Sequence, residues 1–318
     1  MLPLFAEIQD DLRVVNNELR RLLAHPDPLL AEAATHLLEA GGKRLRPAFA
    51  LLSARFHNYD LEQLLPLALA LELIHMATLV HDDVIDRAHT RRGSPTICAA
   101  WGNRISVHTG DYLFAKALTL AARYRHPLIT RELARACVKM CEGEIIQLTG
   151  AAATGIREYL YRIKCKTALL IEASCKLGAA VAGAPMPVCR ALGRYGYLVG
   201  MAYQITDDIL DLSGTDTQLG KPAGNDLRQG IVTLPVIYAI RKSGTESRLG
   251  YLVAKHPKSE EEVEEAIKLT VLAGGIEYAQ GIAKRYLAKA VNELKHLPDI
   301  PTRESLKQIA EFIYARSY

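Results

Sequence analysis

The sequence predicts an all-α protein, a single large helical bundle of ten or more helices. Three observations predict it. Apolar residues recur at three- and four-residue spacing, the helical period. Alternation of the kind a strand shows is scarce. Turn-forming clusters fall between the periodic segments: "HPDP" at 25–28, "GSP" at 93–95, "GAPMP" at 183–187 and "GTDTQLGKPAGN" at 214–225.

In chain order, "LLAEAATHLLEA" reads as an early amphipathic helix. "LLPLALALELIHMATLV", residues 64–80, is apolar nearly throughout, yet it contains Glu72 and His75 and runs into aspartates. A membrane span needs about 20 cleanly apolar residues, so this segment reads as a buried helix of a soluble protein. "TRELARACVKMCEGEIIQL" is again amphipathic. No composition shift or Pro- or Ser-rich linker divides the chain, which reads as one domain over 1–318.

Hydrophobic residues make up 49% of the chain, ample for a large core. The 39 basic and 35 acidic residues nearly cancel, which argues against a nucleic-acid partner. Cys98, Cys137, Cys141, Cys165, Cys175 and Cys189 form no C-x-x-C pair. They read as buried, reduced thiols of an intracellular protein. The start, "MLPLFAEIQDDLR", lacks a basic stretch followed by an apolar one, so no signal peptide is expected and the location expected is cytoplasmic.

The chemistry lies in an internal echo. "HDDVID" at 81–86 resembles "TDDILD" at 206–211, too distant for a short-period repeat. On a helix at about 100° per residue, with Asp82 at 0°, Asp86 falls at about 40°, His75 at about 20°, Thr78 at about −40° and Asp83 at about 100°. In the second motif, with Asp207 at 0°, Asp211 falls at about 40°, Gln204 at about 60° and Asp208 at about 100°. Carboxylates gathered at the end of an apolar helix repel one another and lose hydration, so a cation should compensate. All-oxygen donors suit Mg2+, with phosphates completing its shell. Arg91 and Arg92 can fork onto phosphate, and Lys166, Lys221 and the loop "GGKRLRP" with Lys43, Arg44 and Arg46 add positive charge. Two acidic clusters with several basic elements describe a site for more than one diphosphate. "HDD" could also belong to a metal phosphohydrolase, but no further histidines flank the second motif. "GGKRLRP" lacks the G-x-x-x-x-G-K-[ST] of a Walker loop.

Taken together, "GGKRLRP", "LIHMATLVHDDVIDRAHTRRGSPT", "GDYLFAKAL", "GEIIQL", "KTALL", "YQITDDILD" and "LGKPAGNDLRQGIVTLP" resemble the trans-type isoprenyl diphosphate synthases, in the family's order and over essentially the whole chain. Within that family the likeness is greatest to the large catalytic components of bacterial two-component heptaprenyl diphosphate synthases. The resemblance implies the isoprenoid synthase fold, with a central cavity between the helices that bear the two Asp-rich motifs. It implies about three Mg2+ held by Asp82, Asp83, Asp86, Asp207, Asp208 and Asp211. It implies contacts from Arg91, Lys166, Gln204 and Lys221 to an allylic diphosphate. Lys43, Arg46, His75 and Arg92 would bind isopentenyl diphosphate, and Arg44 is given no contact. Glu144 and Gln147 would lie near the pocket, and Asp226 would support Lys221 or the second motif. Tyr203 stands where the family often has Phe.

The implied reaction joins isopentenyl diphosphate to an allylic carbocation formed as diphosphate leaves, in a dry apolar pocket. Thr78 lies about 6 Å below Asp82 along the helix, with Ala77 slightly deeper. Both are small, so the product should be long, roughly thirty carbons or more by that helix rise. The floor would lie deeper, near Ile74 or Leu71. The resemblance further implies a dimer, either of like chains or with a small component I subunit. A quinone side chain would be the downstream use, and membrane association would be at most peripheral. Two alternatives remain at this point: a terpene cyclase or lyase on the same fold, and a non-catalytic regulatory subunit.

Overall fold

The computed structural model describes residues 3–148, 155–213 and 223–315. It is all-α apart from one two-residue hairpin. Backbone contacts group the chain into two compact units. The first holds Met1–Cys137, Leu170–Gly193 and His296–Leu306; the second holds Val138–Leu169, Arg194–Lys295 and Lys307–Tyr318.

The first unit opens with α1 (Gln9–Leu23), which buries Leu12, Val15, Leu19 and Leu23 along one stripe. α2 (Pro28–Glu39) starts where the "HPDP" breaker predicts: the Asp27 side chain caps the Leu30 N–H, and Pro28 occupies a position whose missing N–H costs nothing. α3 (Leu45–Ala54) is buried over most of its length.

α4 (Leu61–Ile85) is the helix that carries the first motif, and Asp60 caps it. Pro66 removes one rung of its hydrogen-bond ladder. Tyr124 bridges the next rung: its hydroxyl accepts from the Leu67 N–H and donates to the Gln63 carbonyl. α4 is long and apolar enough to cross a membrane, but 67% of its most apolar window is buried inside the protein, as befits a core helix.

The "GSP" breaker turns out to be a hairpin, β1 (Thr90–Arg91) against β2 (Ser94–Pro95). Arg92 and Gly93 both have positive φ, 54° and 80°, the mark of a tight primed turn. α5 (Ile97–Ala121) follows, capped by Thr96. After it come α6 (Pro127–Leu148), α7 (Ile156–Ile163), α8 (Leu169–Val181) and α9 (Met186–Ser213). Within the first unit α8 lies so close to α3 that a Cβ on Gly178 would sit 2.1 Å from the Ala50 carbonyl oxygen.

The second unit adds α10 (Asn225–Arg228), α11 (Leu234–Ser243), α12 (Arg248–Ala254), α13 (Glu260–Leu272), α14 (Gly275–Glu293) and α15 (Pro301–Ala315), the last begun in the first unit. α13 begins with a full capping box between Ser259 and Glu262. The core here joins Tyr159 and Ile163 of α7 to Ile205 and Ile209 of α9 and to Val236 of α11.

The cysteines differ from expectation in one respect. All six are free thiols, but Cys141 is exposed and Cys98 and Cys137 are half-buried, while only Cys165, Cys175 and Cys189 are buried. Cys137 and Cys141 lie on α6, with Cys141 on its exposed face, and Cys98 lies in the first turn of α5.

Candidate active site

In the first unit the site grows from the C-terminal end of α4. Asp82 and Asp83 lie in the last turn and Asp86 is the C-cap residue. Asp82 and Asp86 are half-buried, but Asp83 is buried. The hairpin explains the difference. It folds back on α4, with Thr96 donating to the Ala88 carbonyl and the Ala88 N–H to the Asp83 carbonyl. This brings Arg91 onto Asp83, with Nε at 2.8 Å and Nη2 at 2.7 Å from Oδ1. Asp83 and Arg91, expected to serve metal and diphosphate, are bound to each other.

Arg92 turns the other way and donates to the Gly41 carbonyl. Gly42 must be glycine here, because its φ is 145° and a Cβ would lie 2.6 Å from Arg92 Nη1 and 2.9 Å from Arg44 Nη1. Arg44 is the loop's anchor. It is buried in the left-handed region, φ 51°, and bonds Glu72 Oε1 at 3.0 Å, Asn16 Oδ1 at 2.8 Å and the Leu38 carbonyl at 3.1 Å. Arg44 thus spends three of its five N–H groups on the fold. Lys43 is exposed beside it and Arg46 is half-buried.

His75 gathers these charges. It is half-buried one turn after Glu72, and its pKa is held well below the ordinary 6.5, first by burial and then by Arg46, Arg92, Arg91 and Arg44. Four guanidiniums pressing on one imidazole make a field that calls for an anion.

This has a consequence for stability. Below pH 6.5 the unfolded chain protonates His75 and the folded protein does not, so His75 makes stability fall as pH drops. Asp208, whose pKa rises to about 6 through burial, acts oppositely between 6 and 3.8, since there the folded state holds the extra proton. Chemical denaturation between pH 7.5 and 5 should therefore show His75→Gln flattening an acid-side slope of up to about 1.4 kcal/mol per pH unit. An unchanged slope would overturn this account of His75.

In the second unit the site is built around a π-helical turn, Lys164–Ala168, between α7 and α8. Such wide turns recur at functional sites because they re-aim successive side chains. Two glycines let helices close on it. A Cβ on Gly143 of α6 would lie 2.7 Å from Cys165 Cβ, and one on Gly200 of α9 would lie 2.7 Å from Ala168 Cα. The turn then serves both helices. Lys166 Nζ reaches α6 at Glu144 Oε2, 2.6 Å, and at Gln147 Oε1, 3.2 Å. Thr167 Oγ1 reaches α9, donating to Gln204 Oε1 at 2.7 Å. Gln204 Nε2 donates to Asp208 Oδ1 at 2.9 Å, and the Tyr159 hydroxyl donates to Asp208 Oδ2 at 2.6 Å.

Of the second motif, Asp207 is half-buried while Asp208 and Asp211 are buried. Asp211 ties down the chain that follows: its carbonyl accepts the Gly224 N–H at 2.6 Å and its Oδ2 the Asp226 N–H at 3.1 Å. Asp226 thus supports the second motif through its backbone. Tyr203 is half-buried on α9. Lys221 lies outside the described residues.

The sequence treats the six aspartates alike, and the structure divides them. Asp83, Asp208 and Asp211 are buried on protein donors, while Asp82, Asp86 and Asp207 are half-buried. Among the described residues no three His, Cys, Asp or Glu side chains gather closely enough to hold a metal by themselves. The half-buried carboxylates are hard oxygen donors that fit Mg2+ if phosphate and water supply the remaining ligands. On the wall of α4, Ala77 is fully buried and Thr78 half-buried, its hydroxyl donating to the His75 carbonyl. Ile74 and Leu71 are buried behind them.

Sequence reasoning missed Tyr159, Thr167, Arg162 and Glu72. Thr167 was within reach, since it follows Lys166 in "KTALL". Glu72, an acid inside an apolar helix, was the other available signal. Nothing local marks Tyr159 or Arg162.

A family model described as "Polyprenyl synthetase" matches residues 27–270. The chain is 48% identical to heptaprenyl diphosphate synthase component 2 of Geobacillus stearothermophilus, over 99% of this chain and 98% of that one. The heptaprenyl diphosphate synthase of Staphylococcus aureus superposes with a TM-score of 0.92 at 34% identity, covering 98% and 99% of the two chains. A polyprenyl synthase from Caulobacter crescentus, complexed with calcium and isoprenyl diphosphate, superposes with a TM-score of 0.93 at 34% identity, covering 99% and 97%.

Proposed function

Since the chain belongs to the polyprenyl synthetase family, we propose that it condenses isopentenyl diphosphate with an allylic diphosphate, farnesyl or geranylgeranyl, to a long all-trans product, heptaprenyl diphosphate. It is a prenyltransferase, a trans-prenyl diphosphate synthase, with the isoprenoid synthase fold. The observation that supports this reading is the basic cluster around His75, where Arg46 and Arg92 join Arg44 and Arg91, themselves paired with Glu72 and Asp83, next to the first Asp motif.

In this reading Lys43, Arg46, His75 and Arg92 hold isopentenyl diphosphate. His75, kept neutral, can donate a hydrogen bond without adding to the crowd of positive charge. Arg91, Lys166, Gln204 and Lys221 hold the allylic diphosphate. Asp82, Asp86 and Asp207 would hold about three Mg2+ together with phosphate oxygens, whose bound charge neutralises the departing diphosphate. Asp83 keeps Arg91 in place. Apolar side chains of α4 would exclude water from the carbocation. The isopentenyl double bond attacks the allylic cation to form the new C–C bond, and the proton that the resulting cation loses as the new alkene forms would go to the released diphosphate.

We further read the whole chain as one cytoplasmic catalytic domain, working as a dimer or with a small component I subunit, as the relative's name "component 2" suggests. Quinone side chains are the proposed use. The test is to incubate the purified chain with Mg2+, labelled isopentenyl diphosphate and farnesyl diphosphate, alone and with a component I subunit, and to size the products. A ladder reaching heptaprenyl diphosphate supports the reading. No product in either arm overturns it.

A further inference from the structure

Tyr159 is a large polar side chain in the core of the second unit, fully buried, and the reaction as described gives it no task. Its hydroxyl lies 2.6 Å from Asp208 Oδ2, a short charge-assisted hydrogen bond. Its ring is held by Arg162, whose guanidinium stacks over it at 5.5 Å while donating to the Val232 carbonyl at 2.8 Å. The other Asp208 oxygen takes Gln204 Nε2, and Gln204 Oε1 takes the Thr167 hydroxyl. The four side chains form one chain of directed hydrogen bonds.

That chain allows only one orientation of the Gln204 amide. Flipped, its oxygen would face the Asp208 carboxylate and its NH2 would lose that acceptor. An amide has two N–H groups and two lone pairs, so Gln204 in its present setting retains one of each for a ligand. Tyr159 meanwhile occupies the Asp208 oxygen that could otherwise rotate toward another partner. We propose that Tyr159 is a positioning residue: through Asp208 it fixes Gln204, and so the polar face that α9 presents to the allylic diphosphate. The proposal rests on the diphosphate-binding reading above. It makes Asp208 a buried brace.

The test uses Tyr159→Phe in the full chain, assayed with whatever component I partner the wild type requires. One lost hydrogen bond of this kind corresponds to about a tenfold effect. The proposal expects kcat/KM for the allylic substrate to fall by that factor while KM for isopentenyl diphosphate holds. It also expects the rise in thermal midpoint on adding Mg2+ and inorganic pyrophosphate to shrink relative to wild type. The double variant Tyr159→Phe with Asp208→Asn should be no worse than Asp208→Asn alone, because both act through one carboxylate. A purely structural Tyr159 would lower the unliganded midpoint, leave the pyrophosphate-induced rise intact and leave the kinetic constants alone; that result overturns the proposal, as does additivity in the double variant. Should Tyr159→Phe fold poorly, Thr167→Val at the other end of the chain carries the same non-additivity test with Asp208→Asn. The pyrophosphate shift needs no turnover, so a wild type that makes no product would sink the functional reading and leave this one to be decided by binding.

Discussion

Asp82→Ala is expected to lower kcat/KM by about a thousandfold or more, with the Mg2+ needed for half-maximal rate raised. Asp82 is half-buried in the last turn of α4, whereas its neighbour Asp83 is buried and spent on Arg91. On the proposed reading Asp82 would hold metal and phosphate, and its removal would subtract several kcal/mol from charge stabilisation as the diphosphate leaves. Asp83→Ala should behave differently. It removes the partner of Arg91, which stays in reach of solvent, so it should cost about 1–2 kcal/mol of folding stability. It should also weaken binding of the allylic diphosphate with less effect on the Mg2+ requirement. Steady-state kinetics across a Mg2+ series, paired with denaturant unfolding of both variants, measures the contrast. Identical Mg2+ profiles for the two variants would overturn the division of labour drawn from the structure.

Thr78→Phe is expected to shift the product distribution to shorter chains. Thr78 lies on the Asp82 side of α4, about 6 Å down the helix, and is half-buried. A phenyl ring there would stand where the growing tail must pass. Ala77 is the deeper small residue, but its full burial changes the expectation. Phenylalanine at 77 must first displace packed neighbours, at a cost of about 1–3 kcal/mol. It should therefore lower stability as well as shorten the product, while Thr78→Phe shortens it with little loss of stability. Chromatographic sizing of products from labelled isopentenyl diphosphate decides the matter. An unchanged ladder from both variants would mean that the tail grows along another wall.

The fold class was legible because helical periodicity is a local property. α1 and α2 each show it within a few turns, whereas α4 is apolar nearly all round and was legible from its length; Asp27, Asp60 and Pro28 mark starts. The primed turn of the hairpin was harder to see, because Arg92 in a left-handed conformation gives no compositional hint.

By itself the sequence determined the helical class, the two Asp motifs and the basic loop. Each is a charged cluster set against an apolar helix, and such a cluster is costly unless something binds it. Only the tertiary structure decided which aspartates are buried on protein donors. Asp83 meets Arg91 because the hairpin folds back, and Asp208 meets Tyr159, 49 residues away, because α7 packs on α9. Arg44 meets Glu72, 28 residues away, for the same kind of reason. A carboxylate's role follows from its partners, and partners across such distances are set by how helices pack, which no local pattern encodes.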